Sequence, residues 1–157
     1  MKISVFGIGY VGAVTSACLV KSGHEVIAVD VDEVKVKCIS EGRSPIIEPE
    51  LQEIIAKGVA DGQLKSTTNM AEAVNETDIS LICVGTPSRA DGSLQLDYVV
   101  DVCEQIGAVI KQKEGYHVVV LRSTVLPGTA KNVAIPALER ASGKKSGVGF
   151  GFGNSER

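Results

Sequence analysis

Residues 1–30 read MKISVFGIGYVGAVTSACLVKSGHEVIAVD. Lys2 to Phe6 is a short strand-forming run, Gly7-Ile8-Gly9-Tyr10-Val11-Gly12 breaks it, and an amphipathic stretch continues to Gly23. Glu25 to Val29 is a second apolar strand, and it ends in Asp30. Strand, glycine turn, helix, strand and acid together make a mononucleotide-binding unit. Each glycine has its own task. Gly7 permits the tight turn, Gly9 lets backbone approach a pyrophosphate, and Gly12 lets the helix pack against the sheet. The helix start offers unpaired N–H groups and a positive dipole end to phosphates. Asp30, at the tip of the second strand, is placed to accept both hydroxyls of a ribose and to repel a 2′-phosphate. That predicts NAD rather than NADP. A glycine turn alone binds nothing in many proteins; the flanking strand, helix and distant acid separate this one from those.

The rest of the chain repeats the alternation. Asp32 is an N-cap candidate for a helix to Glu41, with Val34, Cys38 and Ile39 on its buried side and Gly42 as its stop. Lys35 falls near the start of that helix, close to Asp30. Spacing alone does not separate a contact to the adenosine side from a solvated lysine. After the proline-bracketed SPIIEP loop, Pro49 suits the first position of a helix that buries Leu51, Ile54 and Ile55. Leu64–Thr67 is a short third strand, Asn69 caps a brief helix to Asn75, and Ile79–Val84 is a fourth strand of continuous apolar character. Gly85-Thr86-Pro87 follows it, and Asp91-Gly92 marks a turn. Asp97 is expected to cap a helix to about Gln112 that buries Val99, Val102, Cys103, Ile106 and Val109/Ile110. Val118–Leu121 is the fifth strand, followed by Arg122-Ser123-Thr124-Val125-Leu126-Pro127-Gly128-Thr129. A helix within Ala130–Ala141 is expected to kink or split at Pro136, and Val148–Phe152 is a sixth strand. The expected fold is therefore α/β: a doubly wound parallel sheet of Rossmann type, about six strands with helices on both faces. Thr86 and Thr124 then stand at the crevice where strand order reverses. For Ser123 and Thr124, capping a turn is the plainer alternative.

Composition bounds the function. At 157 residues the chain suits one domain, and 44% hydrophobic with 22% charged residues is a globular balance. A net charge of −3 offers no electrostatic reason for nucleic acid or an anionic membrane as a partner. No apolar run is long enough to span a bilayer, and the first strand begins where a signal peptide would lie. Cys18, Cys38, Cys83 and Cys103 form no CxxC pair and read as reduced thiols in a cytoplasmic core. His24 and His117 precede strands and read as satisfied or solvated edge residues. No metal set is expected.

Beyond the generic fingerprint, Met1–Val148 resembles the N-terminal domain of the UDP-glucose/GDP-mannose dehydrogenase family. The matching residues are GIGYVG at Gly7–Gly12, Asp30 with Lys35 five on, CVGTP at Cys83–Pro87 and RSTVLPGT at Arg122–Thr129. SPIIEP, GTPS…DGSL and RSTVLPGT are most like its GDP-mannose branch, with the UDP-glucose branch as near neighbour. The resemblance implies oxidation of a nucleotide sugar's 6-hydroxyl to a carboxylate with two NAD+. It implies cofactor contacts at Tyr10, Val11, Asp30, Lys35, Thr86 and Thr124, which makes Lys35 a ribose contact. It also implies homo-oligomers in the full-length family. Members of the family continue into an NPEFLREG-like segment with an acid–base glutamate, a helical dimerisation region, and a second α/β domain with the catalytic cysteine, lysine and aspartate. Residues 1–157 are thus expected to form one dinucleotide-binding domain, a fragment or truncated copy without the central and C-terminal domains. No catalytic residue is assignable: none of the four cysteines matches the nucleophile motif, and Glu156 aligns with the family glutamate only across a gap. The chain by itself is expected to bind NAD without turnover. Two other readings are a stand-alone NAD-binding module and a hydroxyacid dehydrogenase; RSTVLPGT argues against the second.

Overall fold

The computed structural model describes residues 1–155. Six parallel strands form one sheet in the order β3-β2-β1-β4-β5-β6: β1 (Lys2–Phe6), β2 (Glu25–Val29), β3 (Leu64–Thr67), β4 (Ile79–Ile82), β5 (Val118–Leu121) and β6 (Gly151–Asn154). The helices are α1 (Tyr10–Lys21), α2 (Glu33–Ser40), α3 (Leu51–Ala60), α4 (Met70–Glu76), α5 (Asp97–Gln112) and α6 (Ile135–Ser142). Register runs without slip across the centre, Phe6 beside both Val29 and Ile82, and Ile82 beside Leu121. The order reverses between β1 and β4, which opens a crevice at the carboxyl ends of those strands.

Strand alternation divides the core in two. Ile3 and Val5 of β1 pack with Ala13, Ala17, Leu51 and Ile55 under α1 and α3. Phe6, Ile82 and Leu121 pack with Val99, Ile106 and Leu138 under α4, α5 and α6. Both faces are covered, as a parallel sheet requires.

Several element boundaries differ from the sequence reading, each for a local reason. Helix α3 begins at Leu51 rather than Pro49. Pro49 occupies the second position of a turn closed by Leu51 N–H to the Glu48 carbonyl at 3.3 Å, with Glu50 at φ 65°. Asp97 opens α5 but does not cap it; its carboxylate accepts from Gln95 Nε2 at 3.1 Å, in reach of Arg89. Strand β4 ends at Ile82, two residues early. Strand β6 begins at Gly151 rather than Val148, because Gly147 N–H turns back to the Phe150 carbonyl and leaves Val148 exposed. Pro136 splits its helix, as expected, with α6 starting afresh at Ile135. The chain widens into a π turn over Ala130–Ala134, around the Asn132 carbonyl that the proline ring would otherwise meet. In α2 Asp32 does cap, accepting from Val34 N–H at 2.9 Å. Val34 itself is exposed, however, and Val36 and Ile39 supply the packing. Cys83 and Cys103 are buried as expected, whereas Cys18 is exposed and Cys38 half-buried.

His117 is a satisfied interior residue. Lys113 Nζ donates to its Nδ1 at 3.0 Å, so the ring proton lies on Nε2, 2.8 Å from Ser80 Oγ. Ser4 and Thr77 extend this buried chain at 2.8 and 3.0 Å. Burial, and then the Lys113 ammonium, push the His117 imidazole down to about 4. The unfolded chain, with an ordinary imidazole, binds the proton first as pH falls. His117 therefore contributes its full stability above about pH 6.5 and loses roughly 3 kcal/mol of it on descent to pH 4. Urea unfolding at pH 7.5 and 4.5 should show this slope, and His117→Gln should flatten it. An equal slope in the variant would assign the effect to other groups.

Candidate functional site

The crevice is built from the ends of β1, β2, β4 and β5. At the end of β1, Gly7 turns the chain at φ 99°, its N–H donating to the Val29 carbonyl at 2.8 Å. A side chain there would also meet the Cys83 carbonyl at 2.9 Å. Gly12 lies beneath the turn, in the first coil of α1. A Cβ on it would sit 1.7 Å from the Gly7 carbonyl oxygen, so its close neighbour is the turn rather than the sheet. Gly9 differs from both: it has ordinary extended dihedrals, and a Cβ on it would meet nothing within 4 Å. It faces open cleft. Gly9 is also the N-cap of α1, and no side chain caps that helix. The N-terminal N–H groups of α1 are thus left for a ligand.

Asp30 stands beside the glycine turn, at the end of the neighbouring strand β2. Its Oδ2 accepts from Ile8 N–H at 2.7 Å and its Oδ1 from Asp32 N–H at 2.9 Å, which fixes the carboxylate at the lip of the cleft. Lys35 Nζ lies 4.0 Å from Oδ2, the limit of an ion pair, and both residues line the cleft. On the far side Thr86 Oγ1 donates to the Thr124 carbonyl at 2.5 Å, and Ser123 Oγ donates to the Val84 carbonyl at 2.7 Å. These two bonds join the loops after β4 and β5 across the reversal point. Ser123 therefore staples two loops rather than capping a turn.

The resulting cleft encloses about 740 Å³. Gly7, Gly9, Tyr10, Val11, Asp30, Lys35, Thr86 and Thr124 line it, and Gly12 supports it from below. The sequence reading missed one wall. Tyr98, Asp101 and Gln105 of α5 line the cleft too, at spacings of three and four residues on one stripe of the helix. That stripe runs beside the apolar one, which holds Val99, Val102 and Ile106 and which α5 buries. Arg122 borders both this cleft and an adjoining groove of about 460 Å³ that extends past Thr124 to Pro127 and Ser155. Glu156 lies outside the described residues.

The site offers helix-terminal N–H donors for a pyrophosphate, an anchored carboxylate for a vicinal diol, and room for a dinucleotide. It offers no activated thiol. Burial pushes Cys83 up to about 11 and Cys103 up to about 12, so neither is a thiolate near neutral pH.

The family described as "UDP-glucose/GDP-mannose dehydrogenase family, NAD binding domain" matches residues 1–155. The GDP-mannose 6-dehydrogenase of Pseudomonas syringae pv. syringae is 55% identical over 151 residues, which is 96% of this chain and 34% of that protein. The UDP-glucose 6-dehydrogenase of Haloferax volcanii is 38% identical over 150 residues, 96% of this chain and 34% of the other. Among solved structures, a ternary complex of GDP-mannose dehydrogenase from Pseudomonas aeruginosa superimposes with a TM-score of 0.97 at 52% identity. That match covers 98% of this chain and 35% of the other. The chain thus spans about a third of the length of the relatives it matches.

Proposed function

The chain belongs to the UDP-glucose/GDP-mannose dehydrogenase family, matching its NAD binding domain, and on that premise we propose that it is the NAD-binding part of a GDP-mannose 6-dehydrogenase. The proposed reaction converts the sugar 6-hydroxyl of GDP-mannose to the carboxylate of GDP-mannuronate. NAD+ bound in this cleft would supply the hydride acceptor for both two-electron oxidations, and water the second carboxylate oxygen. The observation that carries the cofactor reading is the uncapped start of α1 with open space at Gly9, set beside the anchored Asp30 carboxylate. The choice of GDP-mannose over UDP-glucose rests on the higher identity to the GDP-mannose relatives, 52–55% against 38–42%.

In this reading Gly7 shapes the turn, Gly9 leaves room for the pyrophosphate, and Gly12 seats the helix. Tyr10 and Val11 contribute the first N–H groups of α1. Asp30 accepts from the adenosine ribose, with Lys35 beside it, and Thr86 and Thr124 border the path toward the nicotinamide. Residues 1–157 act as one dinucleotide-binding domain, and the nucleophile and base of the oxidation lie in parts that the longer relatives possess. The complete enzyme is cytoplasmic and homo-oligomeric, with a nucleotide sugar as substrate and neither nucleic acid nor membrane as partner.

Calorimetric titration of residues 1–157 with NADH and NADPH tests the site. One or two hydrogen bonds to a charged acceptor, about 1.5–3 kcal/mol, should make NADH bind roughly tenfold to a hundredfold tighter. Asp30→Ala should narrow that gap. Equal affinity in the unsubstituted chain would remove Asp30 from the ribose. The same polypeptide mixed with NAD+ and GDP-mannose should form no NADH at 340 nm. Steady NADH formation would place catalytic groups within these residues.

A further inference from the structure

The loop between α2 and α3 is used by none of the roles above, yet it is tightly built. At its base Gln52 Nε2 donates to the Gly42 carbonyl at 2.8 Å, and Gln52 Oε1 accepts from Ser44 N–H at 2.8 Å. Ser44 Oγ donates to the Ile46 carbonyl at 2.6 Å. The loop ends in the Glu48–Leu51 turn, where Glu50 is the one non-glycine residue at positive φ among the described residues. A turn with Pro second and positive φ third ordinarily takes glycine at the third position. Backbone strain held in one place points to what that place positions.

What this turn positions is Glu48. Its Oε1 accepts a hydrogen bond from the Tyr10 hydroxyl at 2.6 Å, across 38 residues of sequence. Tyr10 is the first residue of α1, it lines the cleft, and it is 58% exposed, so packing alone does not hold its ring. An unheld tyrosine on a first helical turn exchanges rotamers beside the N–H groups a phosphate must reach. Held by Glu48, the ring stays at the margin of the cleft. The tether also keeps the Glu48 carboxylate a ring's length from the Tyr10 backbone, where a bound pyrophosphate would meet less repulsion.

We propose that Glu48 is a positioning residue for cofactor binding, acting through Tyr10 to keep the start of α1 accessible and ordered. This rests on the reading of the cleft as an NAD site. The hydrogen bond to the Glu48 carboxylate also pushes the Tyr10 phenol above its ordinary value.

Fluorescence titration with NADH of the chain and four variants tests the proposal. Glu48→Ala and Tyr10→Phe should each bind about three- to tenfold more weakly, and the double variant no more weakly than either single one. Glu48→Gln keeps a carbonyl acceptor for the tyrosine and should restore affinity, with thermal midpoints alike throughout. Wild-type affinity in Glu48→Ala, or single losses that multiply in the double variant, would overturn the proposal and leave the NAD reading standing. Absence of NADH binding by the unsubstituted chain would overturn both.

Discussion

Gly12→Ala is expected to destabilise the fold by about 3 kcal/mol or more, at the upper end of what overpacking costs. The added methyl would sit 1.7 Å from the Gly7 carbonyl oxygen, near a covalent distance, so turn and helix must separate. Neither yields easily. Gly7 is held at φ 99° by its bond to Val29 and has the Cys83 backbone against its other side. Helix α1 is held by Ala13, Ala17 and Val20, all buried against the sheet and α3. Small residues on that face bring the helix in close, and the same closeness leaves Gly12 no room. Urea unfolding followed by circular dichroism would show the loss as a lower midpoint, or as no folded baseline. An alanine variant within 1 kcal/mol of the unsubstituted chain would mean that turn and helix separate at little cost.

The two strands of the β1-α1-β2 unit were legible to the residue, and its helix to within two residues at the end, because the information is local. A strand run, a glycine turn and an acid each dictate backbone or charge within a few positions. Pro49 misled because its fixed φ suits a helix start and the second position of a turn equally well. Only the left-handed conformation of Glu50, which no residue type there announces, selects the turn. Val148 misled because an apolar β-branched residue near the expected sixth strand looks interior, whereas the Gly147 turn hands the buried position to Phe150. Val34 lies in the first turn of α2, over the lip of the sheet, where helical spacing persists but there is no core to meet.

Site residues divide in the same way. Gly7, Gly9, Gly12 and Asp30 sit within one supersecondary unit, and their placement follows from motif and spacing. For Lys35, in α2, spacing left two readings open and only the family resemblance chose between them. Thr86 and Thr124 depended on strand order, which the doubly wound pattern supplied. Tyr98, Asp101 and Gln105 reach the cleft only because α5 leans over it, and Glu48 reaches Tyr10 only because a strained turn aims it. Tertiary placement carries those four, and hydrophobic periodicity is silent about polar stripes.

Gly9→Val is expected to have the opposite character to Gly12→Ala: a folded protein that no longer binds. Gly9 has φ −85° and ψ −162°, dihedrals a valine adopts without strain, and no atom lies within 4 Å of where its Cβ would be. The backbone therefore has no need of glycine here. Stability should fall by about 1 kcal/mol at most, the cost of a poorer N-cap residue. The cleft does need it: the branched side chain would stand in front of the first N–H groups of α1. Losing two charge-assisted hydrogen bonds to a pyrophosphate removes roughly 3–6 kcal/mol, which is more than a hundredfold in affinity. Calorimetry with NADH and a urea curve on the same preparation read the two effects separately. A variant with the wild-type unfolding midpoint that still binds NADH at wild-type affinity would show that phosphates bind elsewhere. The open face of Gly9, on which the whole assignment of the cleft turns, would then be unused space.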